Sequence, residues 1–156
     1  MDIYTLTKMA HVLSATVLFG TGLGTAFFMF RSRQSSDVKS KYDTARTTVL
    51  ADYIFTTPAV ILQPLTGIAL IWMMDYDAFE FWLIVSYCLF IFAGFCWLPV
   101  VWIQIQLKKL LLASLETGED LPDDYYRLFR IWISLGWPAF IALIAVFYLM
   151  LAKPTW

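Results

Sequence analysis

The 156-residue chain is 60% hydrophobic and only 15% charged, with a mean hydropathy of +0.69. A soluble domain of that length has too little interior to hide so much apolar surface, so the sequence reads as one dissolved in lipid. A net charge of −1 and a pI near 5.7 argue against nucleic acid as a partner.

At about 20 residues per span, four spans and their connections fill the length as a single transmembrane domain. The spans are expected near 4–30, 49–73, 82–107 and 125–151. Segment one does not read as a cleaved leader, because Asp2 stands where basic residues would be and the apolar run is too long. It carries Lys8 and His11, the only histidine of the chain, followed by Gly20 and Gly24 as a GxxxG. Small residues let helix backbones approach closely in lipid. His11, Ser14, Ala15, Gly22, Thr25 and Ala26 share one helical face, which is expected to point into a bundle.

The polar stretch 31–48 leads into segment two, where Asp52, Thr56, Gln63 and Gly67 form a helical stripe. Pro58 and Pro64 lie within it and predict a kink with freed carbonyls. Segment three carries Cys88 and Cys96, Pro99 as a further kink, and Gln104 near its far end. Eight residues on one helix separate the two thiols by about 12 Å, beyond disulfide reach. A loop is expected from Lys108 onward, and Pro122-Asp-Asp124 reads as the start of segment four. Trp72, Trp82 and Trp156 fall at interface levels, whereas Trp97, Trp132 and Trp137 lie deeper.

Nine of the 11 Lys and Arg flank the first and third connections and none lies in the second. The positive-inside rule then puts those connections in the cytoplasm and both termini outside. Helical rise places His11 about 9 Å toward the outside of mid-membrane, with Gln63 on the same side, and Asp52 about 12 Å toward the cytoplasm. Two polar centres are therefore expected. In the inner one Asp52 forms a structural ion pair, with Arg130 or Arg31 as its partner, or, as a lone carboxylate, takes up a proton and serves a proton path. In the outer one His11 is a hydrogen-bonded packing residue, an axial ligand to haem b, or a proton relay or quinone donor. Met150 is nearer His11 in depth than Met73 or Met74 as a second iron ligand, with a five-coordinate iron or a ligand from a second protomer or partner subunit equally allowed. Lys8 either snorkels to the headgroups or pairs with an anion, and Gln63 hydrogen-bonds across helices or to a ligand. No Walker loop, GxSxG, HExxH or CxxC occurs, which leaves hydrolase and nucleotide-driven readings without support.

Lys8-x-x-His11, Asp52-x-x-Phe-Thr-x-Pro58, Gln63-x-x-Thr-Gly67, Trp97-Leu-Pro-Val100, Trp137-Pro-Ala-Phe140 and Lys153-Pro154 together resemble an uncharacterised family of bacterial integral membrane proteins with four predicted spans. That resemblance covers nearly the whole chain and implies architecture without an activity. The Lys-x-x-His opening is also distantly similar to the four-helix membrane protoporphyrinogen oxidase, in which a first-helix histidine and a third-helix lysine hold haem b. Here His11 matches the histidine, while segment three has no lysine before Lys108.

The expected protein is an all-α, up-down four-helix bundle in the bacterial cytoplasmic (inner) membrane with both termini extracytoplasmic. The expected function is a small haem-b redox protein or subunit with an outer-leaflet pocket at His11, Lys8, Gln63 and Met150, exchanging electrons with quinone. Its alternatives are non-enzymatic lipid or small-molecule binding or transport, and a structural subunit that associates with itself or with a partner membrane protein.

Overall fold

The computed structural model describes residues 2–154. Among them all regular structure is helical: α1 (Ile3–Ser32), α2 (Val38–Ala51), a π-helical turn (Asp52–Thr56), α3 (Thr57–Met74), α4 (Phe81–Thr117) and α5 (Asp123–Ala152). Because α2, the π turn and α3 run on without a break, the helices long and apolar enough to cross a membrane number four, spanning 3–32, 38–74, 81–117 and 123–152. This is an integral membrane helical bundle.

Local chemistry sets the ends. Asp2 caps α1 by accepting the Thr5 amide at 2.8 Å, and that bond holds its exposed carboxyl below the usual carboxylate range. Asp37 caps α2 by accepting the Lys39 and Ser40 amides at 3.1 and 3.0 Å. Asp123 and Asp124 occupy the first turn of α5, as Pro122-Asp-Asp124 predicted. Gly118 ends α4 at φ +72°, a left-handed conformation that costs glycine nothing.

Two boundaries differ from expectation. Residues 38–48 are helical despite their polarity, because the Asp37 cap starts a helix that the apolar part of the span continues. The loop expected at Lys108 begins only at Gly118, since 108–117 contain no breaker and Leu107, Leu111 and Ser114 still bury one face.

The π turn has an identifiable cause. Proline at 58 has no amide to give the carbonyl of Ile54 and its ring crowds that turn. The helix widens just before it, so that the carbonyl of Asp52 accepts both the amide of Thr57 and, at 2.9 Å, its hydroxyl.

The main core lies where α1 ends and α2 begins. Met29, Ala45, Val100, Ile103, Leu107, Leu111, Tyr125, Phe129 and Trp132 bury one another there, with Phe129 centred 6.0 Å from Tyr125 and 5.4 Å from Trp132. A smaller cluster of Trp82, Leu83 and Leu149 joins the α3–α4 turn to the end of α5. Lys153 ties that corner, donating to the Tyr76 hydroxyl at 2.6 Å and lying 5.4 Å from the Trp82 ring. Trp82 is therefore a packing residue, 4% exposed, whereas Trp72 is 82% exposed as an interface residue should be. Trp156 lies outside the described residues. A Cβ added at Gly20 or Gly24 would meet nothing within 4 Å.

Candidate functional site

The polar stripe of the second span divides. Its Gln63–Gly67 half meets α1, and its Asp52–Thr56 half lies in a buried region reached by α4. Two polar centres result, as depth predicted.

At the first centre His11 crosses from α1 to α3. Its Nδ1 lies 2.9 Å from Thr66 Oγ1 and its Nε2 lies 3.2 Å from Gln63 Nε2. Ser14, one turn along α1, shares its single hydroxyl proton between the carbonyl of His11 at 3.0 Å and Gln63 Oε1. Thr66 donates its own proton to the carbonyl of Leu62 at 2.7 Å, so its oxygen is an acceptor toward the ring. Gln63 Oε1 faces the Ser14 hydroxyl, which turns the amide nitrogen to His11 as a donor. With Thr66 donating to Leu62 and Gln63 Oε1 turned to Ser14, the consistent tautomer has Nδ1–H donating to Thr66 and the Nε2 lone pair accepting from Gln63; reversing both partners inverts it.

The seam is narrow because residue 67 is glycine. A Cβ there would stand 3.3 Å from His11 Cε1, tighter than ordinary van der Waals contact. His11, Gln63 and Thr66 are half-buried and Ser14 is buried, so the ring sits at the rim of the α1–α3 seam.

The other residues expected at this site lie elsewhere. Lys8 is exposed and rests 5.7 Å from the ring centre of Tyr4. Met150 packs against the Trp82–Leu83–Leu149 cluster. Two open grooves, of about 460 and 450 Å³, run between α1 and α2, and neither includes His11. The Gln63 amide occupies the nitrogen that would ligate iron, and Met150 is engaged in a different cluster. No group of three His, Cys, Asp or Glu able to hold a metal ion occurs among the described residues.

At the second centre Asp52 is 4% exposed, Thr56 3% and Gln104 3%. Asp52 Oδ1 accepts the Thr56 hydroxyl at 2.8 Å, and the Gln104 side chain lies within hydrogen-bonding reach of the same carboxyl. The Asp52–Arg130 pair expected from depth does not form. Arg130 is exposed on α5, and the ion pair found among the described residues is Arg127–Asp124 at 3.1 Å. A long arginine on a surface turn keeps its charge in water rather than desolvating it against Asp52.

Residues 5–154 match the family described as Predicted integral membrane protein (DUF2269). The chain belongs to that family. No curated protein and no solved structure matches it. For this DUF2269 member the informative partners are ones that composition singles out poorly. Thr66 is signalled by its place three residues after Gln63 and within the Gln63-x-x-Thr-Gly67 pattern, and Gln104 only as a polar residue near the end of an apolar span.

Proposed function

We propose that this DUF2269 protein binds a membrane-dissolved molecule with a hydroxylated head, a quinol or an isoprenoid alcohol, at the rim of the α1–α3 seam. One observation carries the reading: the His11–Gln63 contact sets an acceptor against a donor, and at 3.2 Å it is the longer of the two hydrogen bonds that the ring makes. A hydroxyl group is both donor and acceptor. It replaces that contact by giving its proton to Nε2 and accepting one from the Gln63 amide, while Thr66 and Ser14 keep the two side chains oriented. The role is binding, with no bond made or broken. Lipid surrounds the seam, so a ligand dissolved in the bilayer reaches His11 without crossing water.

Equilibrium binding to the full-length protein in detergent tests this, with a short-chain benzoquinol, the matching benzoquinone and a short prenol as probes. The quinol and the prenol are expected to bind, and the quinone, which has acceptors only, to bind at least tenfold more weakly. His11→Phe should abolish the difference. Failure of both hydroxylated probes, or unchanged binding in His11→Phe, would reject the proposal. Preference for one probe names the source of the hydroxyl. A haem-b reading instead requires Gln63 to swing off Nε2, and predicts a visible haem spectrum that changes on dithionite addition.

The basic residues bear on orientation. Nine of the 11 lie within residues 31–48 and 108–130, which supports up-down topology with both termini outside and the His11 seam in the outer leaflet. An alkaline phosphatase fused after Trp156 is expected to be active in a bacterial host, and a green fluorescent protein at the same place to stay dark.

A further inference from the structure

A buried carboxyl inside a membrane span needs its charge met. The basic side chains on these helices are Lys8 and Arg31 on α1, Lys39, Lys41 and Arg46 on α2, Lys108 and Lys109 on α4, and Arg127 and Arg130 on α5. None makes an ion pair with Asp52. Thr56 supplies one neutral hydrogen bond to Oδ1, which does not balance a full charge in a medium of low dielectric.

The hydrogen-bond census sharpens the point. Asp52 Oδ2 and Gln104 Oε1 are both fully buried and neither has a donor, although the carboxamide reaches the carboxyl. Two orphaned acceptors on adjoining groups, each costing desolvation without return, are what remains when one hydrogen between them is left out of the account. A carboxylic acid and a carboxamide are complementary. The acid O–H donates to the amide oxygen, and the amide N–H donates to the acid carbonyl.

We propose that Asp52 and Gln104 form a proton-binding site within the membrane, in which Asp52 is the neutral acid, Oδ2–H donates to Gln104 Oε1, and Thr56 and the Gln104 amide share Oδ1. A single proton then supplies the missing donor for both acceptors and removes the buried charge. A metal cation fits less well, since hard cations of this kind take six or more oxygens. A water molecule would satisfy both oxygens and leave the charge in place. The π turn adds to the site, because the Asp52 carbonyl is already held by Thr57 and holds the carboxyl-bearing residue at a fixed point on the wall.

Infrared spectroscopy of the full-length protein in lipid at neutral pH tests this. A carboxylic acid C=O band is expected, shifted by 13C-aspartate labelling, absent in Asp52→Asn and displaced in Gln104→Leu. Labelling needs no substitution, so the readout survives a variant that fails to fold. Asp52→Asn should also melt within a few degrees of wild type, because an amide pairs with Gln104 as the acid does. Absence of a label-sensitive acid band would overturn the proposal, as would a band that disappears when sodium is added. Neither result bears on ligand binding at His11.

Discussion

His11→Ala should cost about 1–3 kcal/mol of stability and at least a tenfold loss of affinity for a hydroxylated ligand. The first figure comes from the two interhelical hydrogen bonds the ring makes, to Thr66 and Gln63. Such bonds average about 0.6 kcal/mol in lipid and reach about 1.7 kcal/mol. The loss of ring packing on Gly67 adds to that sum. The second figure is one direct hydrogen bond, since about 1.4 kcal/mol is a factor of ten. His11→Phe separates the two terms. It keeps the ring against Gly67 and removes both nitrogens, so it should recover part of the stability and none of the affinity. Detergent-midpoint unfolding with parallel binding isotherms reads both quantities.

Phe129→Ala should be costly for stability and silent for binding. Phe129 is 2% exposed, lies among Tyr125, Trp132 and Met29, and has the Arg33 guanidinium 5.9 Å from its ring centre. In water-soluble cores such a truncation costs about 3–5 kcal/mol. Lipid tails are as apolar as this core, so the transfer part of that cost largely vanishes and the lost packing remains. We therefore expect about 2 kcal/mol by unfolding in mixed micelles. The core cluster shares no residue with the His11 seam, so the affinity for the benzoquinol should stay within twofold of wild type. The contrast between the two alanine variants separates a binding role at His11 from a merely structural one.

How far these features were legible in the sequence depends on the physics behind each. The four spans follow from hydropathy and length, and the polar stripe Asp52–Thr56–Gln63–Gly67 follows from helical period. Depth along the helix axis then separates that stripe into two centres. What depth does not supply is the direction in which a side chain leaves its helix. Asp52 and Arg130 stand at similar levels, yet they face a buried wall and the exterior respectively, and Gln104 is the group that meets the carboxyl. Met150 is likewise near His11 in depth but belongs to the Trp82 cluster. The continuation of α4 to Thr117 was hidden by Lys108 and Lys109, whose charge reads as a loop although their neighbours Leu107 and Leu111 remain buried. The site at His11 was half legible. Its histidine and Gln63 stand out as costly polar groups in an apolar span, and Ser14 lies on the face expected to point inward, whereas the partner that each of Ser14 and Thr66 meets shows only where the seam brings them together.

The placement of Gly67 has a similar lesson. Gly20 and Gly24 have the spacing associated with helix contact, yet a Cβ at either would meet nothing within 4 Å, while a Cβ at Gly67, which has no such spacing, would stand 3.3 Å from His11 Cε1. A motif states that close approach is permitted, and only the packed partner states that it is used.

Because residue 11 is the sole histidine, nitrogen NMR of 15N-histidine-labelled protein reports one imidazole and no other. The account predicts a single neutral tautomer at pH 7, with Nδ1 protonated and Nε2 bare, and a shift of the Nε2 resonance alone when the benzoquinol is added. A ring protonated at Nε2, or one whose two nitrogens both ignore the quinol, would contradict it.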